Sequence, residues 1–304
     1  MKNDPWLNID SYSGFAKQEA DFWGNVQATP DNPQLWHEPY LFSVFLESTW
    51  NEFIEAICRS GHNVLELGCG EGNLSIELAK RGRCVTGMDI SDQRIERAKT
   101  KAGAIFGSPE RIPNFQVKDL NITELPQDTF DTVVAHDVLH HILNLEFVLD
   151  QVNNTLKPHG KLFVYDYIGI GKIRKLLLAS LYGILPTYKP YREKLKLSAG
   201  LHNFLLSEKG KRKTLSHHPK LQSGKSYSPF EEISQGSIIR EIERRFTVKS
   251  LHYYLPFFFY LAPKIRVPGS LKHSVAVLFH RLDEYLLQSH VCKGAYISLY
   301  AEKK

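Results

Sequence analysis

The chain has 304 residues, enough for one large hydrophobic core or for one core with a small appended subdomain. Its four cysteines lie far apart and show neither C-x-x-C nor metal-ligand spacing, which favours a reduced, cytoplasmic protein over a disulfide framework. The opening MKNDPWLNID lacks the apolar core of a signal peptide. The most apolar run, residues 253–262, is far shorter than the ~20 residues that a bilayer span needs. No transmembrane segment is therefore expected.

The formal net charge of +5 is unevenly distributed along the chain. Residues 169–225 contain thirteen Lys and Arg against two Glu, a net of +11, so the rest of the chain carries −6. A basic block on an acidic body indicates an anionic partner, substrate or surface near that block. The alternative is a solvated, lysine-rich lid whose charge only keeps it soluble.

The segment from Asn63 to Tyr167 alternates short apolar runs with helical patterns, which is typical of parallel strands joined by crossover helices. Five strands are predicted, over 64–67, 83–88, 114–117, 130–135 and 161–165. Helices are predicted over 72–81, from Ser91 as N-cap to about Ala104, and over 145–156. The sequence Lys157-Pro158-His159-Gly160 is expected to end the last of these helices.

The flanking regions do not follow this alternation. Residues 1–60 are helical and rich in aromatic side chains, and residues 168–235 are basic and interrupted by Pro and Gly. A helix over 236–245 and strands over 247–255 and 295–301 are predicted to follow. We therefore divide the chain into a helical N-terminal cap (1–60), a ligand-binding core (61–167), a basic lid insertion (168–235) and a C-terminal completion of the sheet with antiparallel strands (236–304).

A glycine-rich turn follows the first predicted strand directly, in Gly68-Cys69-Gly70-Glu71-Gly72. Glycines let the backbone turn tightly and approach a ligand without Cβ clashes, and the next helix presents free N–H groups suited to a carboxylate. The dinucleotide pattern G-x-G-x-x-G fails, because its third glycine falls at Asn73. The alternative is a plain tight turn.

Four further parts of the sequence also indicate a ligand-binding site rather than a plain turn. Asp89 ends the second strand, where a carboxylate accepts hydrogen bonds from both hydroxyls of a ribose. Val117-Lys118-Asp119-Leu120, the block 130–141 and Leu156-Lys157-Pro158-His159-Gly160-Lys161-Leu162 follow in order. Together these segments resemble the class I S-adenosylmethionine-dependent methyltransferases of small-molecule type, with a core similar to that of the ubiquinone and menaquinone methyltransferases. His159 departs from the family, which usually has glycine there.

The resemblance implies a Rossmann-like, doubly wound α/β fold with a mostly parallel seven-stranded sheet, a helical N-terminal cap and a lid inserted before strand 6. It also implies S-adenosylmethionine as the cofactor, with S-adenosylhomocysteine as its product and no metal. On this interpretation the glycine turn and Glu66 hold the methionine part, and Asp89 holds the ribose. Asp119 binds the adenine amino group. The cofactor-binding residues implied are Glu66, Gly68, Cys69, Gly70, Gly72, Asp89, Ile90, Asp119, Leu120 and His136, of which Ile90 and Leu120 sandwich the adenine.

Methyl transfer to a hydroxyl needs a base within reach of the acceptor proton. His140 and His141 follow strand 4 at the carboxyl edge of the sheet, where ligands of open α/β sheets bind. A histidine changes charge near neutral pH. We expect His141 to be the base, with His140 as second candidate, and Asp137 to orient either ring. The alternative is that one or both histidines only pack or cap the next helix.

The expected substrate is a small molecule methylated on oxygen or nitrogen in a natural-product, glycan or lipid-type pathway. The acceptor is expected to be anionic if the basic block touches it, or partly apolar if Phe257-Phe258-Phe259-Tyr260 receives it rather than filling core. A second hypothesis is an RNA or protein methyltransferase that grips an anionic polymer through residues 169–225. It is disfavoured because strand 4 lacks an Asn/Asp-Pro-Pro-aromatic motif and the block lacks interleaved aromatic residues. A third is a cofactor-binding scaffold without turnover.

Overall fold

A computed structural model describes residues 9–25, 38–194 and 228–304 of the chain. Its seven strands are β1 (Asn63–Leu67), β2 (Cys84–Asp89), β3 (Asn114–Val117), β4 (Phe130–His136), β5 (Leu156–Tyr167), β6 (Phe246–Tyr254) and β7 (Tyr296–Lys303). They form one sheet in the order β3-β2-β1-β4-β5-β7-β6. Only β7 runs antiparallel to its neighbours, β5 and β6. This confirms the predicted doubly wound, mostly parallel α/β sheet.

The helices of the described residues lie on both faces of this sheet and beyond its edge. They are α1 (Ile9–Asn25), α2 (Pro39–Phe45), α3 (Glu47–Cys58), α4 (Asn73–Lys80), α5 (Asp92–Ile105), α6 (Leu145–Thr155), α7 (Lys172–Ile184), α8 (Ile238–Arg245) and α9 (Lys272–Gln288). Ser91 caps α5 as predicted, because its hydroxyl accepts a hydrogen bond from Arg94 N. The part of the chain before β1 that the structure describes is helical, as expected from its sequence.

The largest difference from the predicted elements is the length of β5. The sequence predicted a turn at residues 157–160, but the strand already begins at Leu156, next to the last residue of α6. Leu156 pairs with Phe130 and Lys161 pairs with Thr132, so the extra residues form an irregularity inside the ladder. His159 adopts a φ of 62° within it. The other strand ends agree with the prediction within one or two residues.

Alternating side chains of the central strands pack on opposite faces of the sheet. Leu65 and Val133 join a core with helices α6 and α8, which contribute Val148 and Ile242. Val64 and Val134 point the other way and join a second core with α3, α4 and α5, in which Ile57, Leu78 and Ile95 are buried. Because the central strands are buried on both faces, their carboxyl ends are held rigidly at one edge.

A third cluster lies between α2 and α9. Phe259 is buried there against Leu41 and Ala276, so this member of the Phe257–Tyr260 cluster fills core. Next to it, α2, α3, α9 and the end of β6 enclose a cavity of about 250 Å³ that Glu52, His280 and Glu284 help to line.

Much of the predicted basic lid, residues 195–227, lies outside the described residues. The structure describes residues 168–194 of this lid, which contain α7, and the residues from Ser228 up to α8. Within the described residues, no helix has the length and apolar character that crossing a bilayer requires. The division of the chain into four functional parts stays a prediction.

Candidate active site

The turn between β1 and α4 is shaped by glycines in left-handed backbone conformations. Gly68, Gly70 and Gly72 have φ values of 64°, 54° and 74°. A Cβ on Gly68 would lie 2.3 Å from Cγ2 of Val138, and one on Gly72 would lie 2.6 Å from the ring of Phe115. At both positions a neighbouring side chain already occupies the space that a Cβ would need, so only glycine fits. The turn is therefore a narrow backbone cradle that leads into the N-terminus of α4.

Asp89 braces this cradle from the end of β2. Its Oδ2 accepts a hydrogen bond from Gly70 N at 2.9 Å, and its Oδ1 accepts one from Ser91 N at 2.9 Å. Each carboxylate oxygen keeps a second lone pair for a ligand hydroxyl. The charge of Asp89 thus lies where a ribose bound at the turn would meet it.

The side chains of Glu66, just before the turn, and of Cys69, within it, are both buried. Glu66 is buried and accepts a hydrogen bond from the Ser75 hydroxyl of α4. Its burial raises its pKa to about 8, although the hydrogen bond from Ser75 opposes the shift. The Cys69 side chain packs against Gly87 of β2. Both side chains support the turn from below, so a direct contact of either with a cofactor stays a prediction.

Asp119 lies just beyond β3 and meets a residue of α1. Its Oδ2 accepts a hydrogen bond from the Tyr12 hydroxyl at 2.6 Å, and its Oδ1 accepts one from Asn121 N at 3.0 Å. Burial, and then the hydrogen bond to Asp119, raises the pKa of Tyr12 well above its ordinary value, so this hydroxyl stays a donor. Helix α1 therefore reaches the side chain that was predicted to bind an adenine amino group.

The residues after β4 bring His140 to a buried carboxylate. His140 Nδ1 lies 2.5 Å from Oδ1 of Asp166, and the other oxygen of Asp166 accepts hydrogen bonds from Val138 N and Leu139 N. Burial alone would lower the pKa of His140, but the charge and hydrogen bond of Asp166 raise it to about 9. His140 is therefore an imidazolium at neutral pH, held in a fixed orientation.

His141 lies beside His140, with a ring-centroid separation of 4.1 Å, but has different neighbours. Its Nδ1 lies 3.3 Å from Oε1 of Glu19, a residue of α1. Its Nε2 lies on the other side of the ring, 3.8 Å from Oε2 of Glu231. About an eighth of the His141 side chain is exposed (12%), and the side chain of Glu231 is half-exposed.

Among the described residues Asp137 lies near His140 but makes no hydrogen bond to either imidazole, so its predicted orienting role stays a prediction. The carboxylates next to the Nδ1 atoms of the two rings are those of Asp166 and Glu19, which β5 and α1 bring there. Asp137 has a φ of 50°, and its Oδ1 is buried without a hydrogen-bond partner among the described residues. Burial, reinforced by the charges of Asp166 and Glu231, raises its pKa to about 7.

The side chain of His136 lies in an aromatic group, with its Nε2 3.8 Å from Oδ2 of Asp137. Its ring lies 5.0 Å from that of Trp50 in α3 and 5.6 Å from that of Tyr165. Burial lowers its pKa to about 4, so the ring is neutral at physiological pH. A role of His136 in binding the cofactor stays a prediction.

Two groups of side chains at this edge bring potential metal donors within 4.8 Å of one another. One is His140, His141 and Glu231, and the other is Asp137, His140 and Asp166. In the second group, the short contact with Asp166 already engages Nδ1 of His140. The expectation that no metal takes part stays a prediction.

Comparisons with known proteins agree with this geometry. Residues 59–189 match the profile of a family described as "Methyltransferase domain". The ubiquinone biosynthesis O-methyltransferase of Coxiella burnetii is 34% identical over 109 residues, covering 36% of this chain and 45% of that protein. The 27-O-demethylrifamycin SV methyltransferase of Amycolatopsis mediterranei is 32% identical over 111 residues, covering 36% of this chain and 40% of that protein. Residues 59–189 are therefore similar in sequence to a methyltransferase domain.

The sequence similarity covers only part of each protein. Each alignment spans less than half of the relative, and the family profile covers less than half of the chain. Among solved structures, geranyl diphosphate C-methyltransferase from Streptomyces coelicolor A3(2) is similar with a TM-score of 0.54 and 12% identity, covering 95% of this chain and 98% of that one. At 12% identity this similarity shows a shared fold and nothing more.

The methyltransferase domain places the residues predicted from sequence at one edge of the sheet. The glycine turn, Asp89 and Asp119 lie at the ends of β1, β2 and β3, and the histidines follow β4. Ile90 is half-buried, and Leu120 is buried in the core that contains α6. Their predicted stacking on an adenine stays a prediction.

Three residues of the methyltransferase site were missed by sequence reasoning, namely Asp166, Glu19 and Tyr12. Asp166 had a signal, because it is one acidic residue in the otherwise apolar and aromatic run Leu162–Tyr167. A carboxylate buried in a core strand needs partners, which indicates a site. Glu19 and Tyr12 carried no comparable signal, since the packing of α1 against a distant part of the chain is not encoded in local spacing.

Proposed function

We propose that this chain transfers a methyl group from S-adenosylmethionine to an oxygen or nitrogen of a small molecule in a biosynthetic pathway. The observation that carries the proposal is the contact between the glycine turn and the histidine segment. Val138 packs directly on Gly68, and the two histidines follow two and three residues later. A cofactor held at the turn and an acceptor held at the histidines would therefore be neighbours.

The residues of the turn fit this cofactor. The left-handed glycines let the chain turn sharply from β1 into α4, and the N-terminus of α4 favours the carboxylate of the cofactor. Asp89 would hold the ribose through its remaining lone pairs, and Asp119 would hold the adenine amino group. S-adenosylmethionine supplies, when bound, a methyl group that is already activated on a sulfonium. The chain then has to align the acceptor, exclude water and remove a proton.

His141 is the better candidate for the base. His140 is already protonated at neutral pH because Asp166 stabilises its imidazolium, so it is a poor proton acceptor. It can still hold the segment after β4 in place and donate a hydrogen bond. His141 Nε2 lies on the side of its ring opposite Glu19. We therefore assign the acceptor proton to His141 Nε2 and the fixed orientation of the segment to the His140–Asp166 pair.

The charged side chains around the two histidines indicate what charge the methyl acceptor carries. Glu19, Asp166 and Glu231 place carboxylates next to the two rings. This arrangement favours an acceptor whose reacting end is neutral or cationic. The names of the relatives from Coxiella burnetii and Amycolatopsis mediterranei support oxygen as the methylated atom. The four cysteines are free thiols, which supports a reaction in the reducing cytoplasm.

A methyl-acceptor screen tests the proposal. The purified chain and S-adenosylmethionine are incubated with pools of phenols, hydroxylated polyketides, sugars and amines, and products are detected as a methyl mass increment with release of S-adenosylhomocysteine. We expect a small-molecule acceptor. With that acceptor, His141→Ala should lose about 10²–10⁴-fold in rate with little change in cofactor affinity. The control His252→Ala alters an exposed histidine of β6 and should retain the wild-type rate.

Three outcomes contradict parts of this proposal. Methylation of RNA or protein, with no small-molecule product, would move the function to a polymer methyltransferase whose binding has a steep salt dependence. Cofactor binding without any methylated product would indicate a scaffold. A loss below about tenfold in both His141→Ala and His140→Ala would remove the base and favour an acceptor amine that enters neutral.

A further inference from the structure

The carboxylate of Glu19 is the most heavily hydrogen-bonded group contributed by α1. Its side chain is buried, with 3% of the residue exposed. Its Oε1 accepts hydrogen bonds from Trp23 Nε1 at 2.7 Å and from the Ser228 hydroxyl at 2.9 Å. Its Oε2 lies 2.8 Å from the same Ser228 hydroxyl and accepts a hydrogen bond from Phe230 N at 3.2 Å. The fourth neighbour is His141 Nδ1, at 3.3 Å from Oε1. Ser228 Oγ also lies 3.5 Å from Nδ1 of His141.

These neighbours come from three separate parts of the chain. Trp23 belongs to α1, Ser228 and Phe230 to the segment that follows the predicted lid, and His141 to the segment after β4. A buried carboxylate is costly unless it is paired and hydrogen-bonded. Burial alone would raise the pKa of Glu19, but the hydrogen bond and charge of His141, with the hydrogen bonds from Ser228 and Trp23, hold it below its ordinary value. Glu19 is therefore both buried and ionised because all three parts supply it with partners.

His141 lies between two carboxylates: Glu231 is half-exposed and 3.8 Å from Nε2, whereas Glu19 is buried and 3.3 Å from Nδ1. The closer, buried carboxylate of Glu19 therefore decides where the proton of a neutral imidazole lies. It stabilises the tautomer with a proton on Nδ1, which leaves the lone pair on Nε2. The ring of Trp23 packs edge-on against that of His141 with centroids 5.1 Å apart, which restricts rotation of the imidazole. His141 is thus held with Nε2 directed away from α1.

The rest of α1 contacts residues of the cofactor side. Tyr12 donates its hydrogen bond to Asp119, and Arg97 links Gly24 O at 3.0 Å to the carboxylate of Glu71 in the glycine turn. The guanidinium of Arg94 in α5 lies 5.2 Å from the ring centroid of Trp23. Helix α1 therefore covers both the predicted cofactor residues and the histidine segment.

We propose that Glu19 is the positioning residue for His141, fixing its Nδ1–H tautomer and joining α1 to the 228–231 segment, so that the base is assembled only when α1 is docked. This inference rests on the proposed role of His141 as the base. It goes beyond that role, because it makes a helix outside the methyltransferase domain part of the proton-transfer machinery. No proton moves to Glu19 in this arrangement. The carboxylate orients the ring and stabilises the imidazolium that forms when His141 accepts the acceptor proton.

The tautomer can be measured without an acceptor. The full chain is labelled with ¹⁵N-histidine and saturated with S-adenosylhomocysteine, and the ring nitrogens of His141, assigned by their absence in His141→Ala, are recorded at a pH where the ring is neutral. We expect the Nδ1–H form to dominate in the wild type. In Glu19→Gln the Nε2–H form should become the major one, whereas Asp21→Asn, which alters an exposed acid of the same helix, should match the wild type.

With an acceptor in hand, the kinetics provide a second readout. Glu19→Gln should lower kcat at least tenfold while changing cofactor affinity less than twofold, and Glu19→Asp should recover part of the rate. A wild-type ring that is mainly Nε2–H, or an unchanged tautomer in a folded Glu19→Gln, would overturn the positioning role. Loss of the base role itself is a different result, seen as full turnover by His141→Ala whatever the tautomer of the wild type.

Discussion

At the residue scale, two adjacent histidines acquire different properties from different carboxylates. His140 is buried against Asp166, which is fully buried itself, whereas His141 lies between Glu19 and the half-exposed Glu231. The sequence predicted the positions of both histidines, because they follow a strand at the carboxyl edge of the sheet. It did not predict which carboxylates orient them, since Asp166 and Glu19 are brought there by tertiary packing. The nearby Asp137 was chosen on sequence distance alone and bonds neither ring.

The raised pKa of His140 predicts a pH dependence of stability. The pKa is 6.5 for an ordinary histidine and about 9 in the folded chain, so the stabilisation is fully present below pH 6.5 and is lost as pH rises through 9. Urea unfolding from pH 6 to 9 should therefore show a steeper loss of unfolding free energy in the wild type than in His140→Gln. The control His252→Gln should follow the wild-type slope.

The raised pKa of Asp137, about 7, gives a loss in the same direction, and in His140→Gln this pKa rises further because the charge of His140 no longer lowers it. The difference between wild type and His140→Gln remains the quantity to compare, and this opposing change makes it smaller. Equal slopes for these two proteins would contradict the prediction that the His140–Asp166 pair makes the wild-type loss steeper.

At the element scale, strands β1 to β4 were predicted well because each is a short apolar run followed by a turn signal. The start of β5 was predicted poorly, because Pro158 and Gly160 are turn residues by local chemistry. Pairing of Leu156 with Phe130 outweighs that tendency and draws the segment into the ladder. The docking of α1 was not predictable either, since its partners lie about 100 to 200 positions further along the chain.

The irregularity in β5 predicts a stabilising substitution. His159 is exposed and has a φ of 62°, a conformation that costs a residue with a Cβ roughly 1–2 kcal/mol. Glycine removes this strain but adds about 0.5–1 kcal/mol of chain entropy to be lost on folding. His159→Gly should therefore increase the unfolding free energy by up to ~1 kcal/mol in urea titrations.

The matched control is His252→Gly, at an exposed position of β6 where the backbone φ is not positive. There glycine only adds chain entropy, so the variant should be less stable than the wild type. Destabilisation of similar size by both substitutions would contradict the account of the β5 irregularity.

At the scale of the whole molecule, the strand order explains where the site lies. The chain reverses direction across the sheet between β1 and β4, and the carboxyl ends of these two strands carry the glycine turn and the histidine segment. Ligands of doubly wound sheets bind at such a switch point. This much followed from the sequence, because the order of motifs resembles one family. The cover formed by α1 did not, because it lies outside the segment that the family shares.

The central claim is that S-adenosylmethionine binds at this edge through Asp89, and calorimetric titration of the cofactor into wild type and Asp89→Asn tests it most directly. Asparagine keeps the shape but loses the charge-assisted hydrogen bonds to a ribose, worth roughly 2–4 kcal/mol together. The control Asp92→Asn alters an exposed acid in the first turn of α5. We predict binding by the wild type and the control, with affinity at least tenfold weaker in Asp89→Asn. Absence of binding by the wild type, or unchanged affinity in a folded Asp89→Asn, would contradict the account.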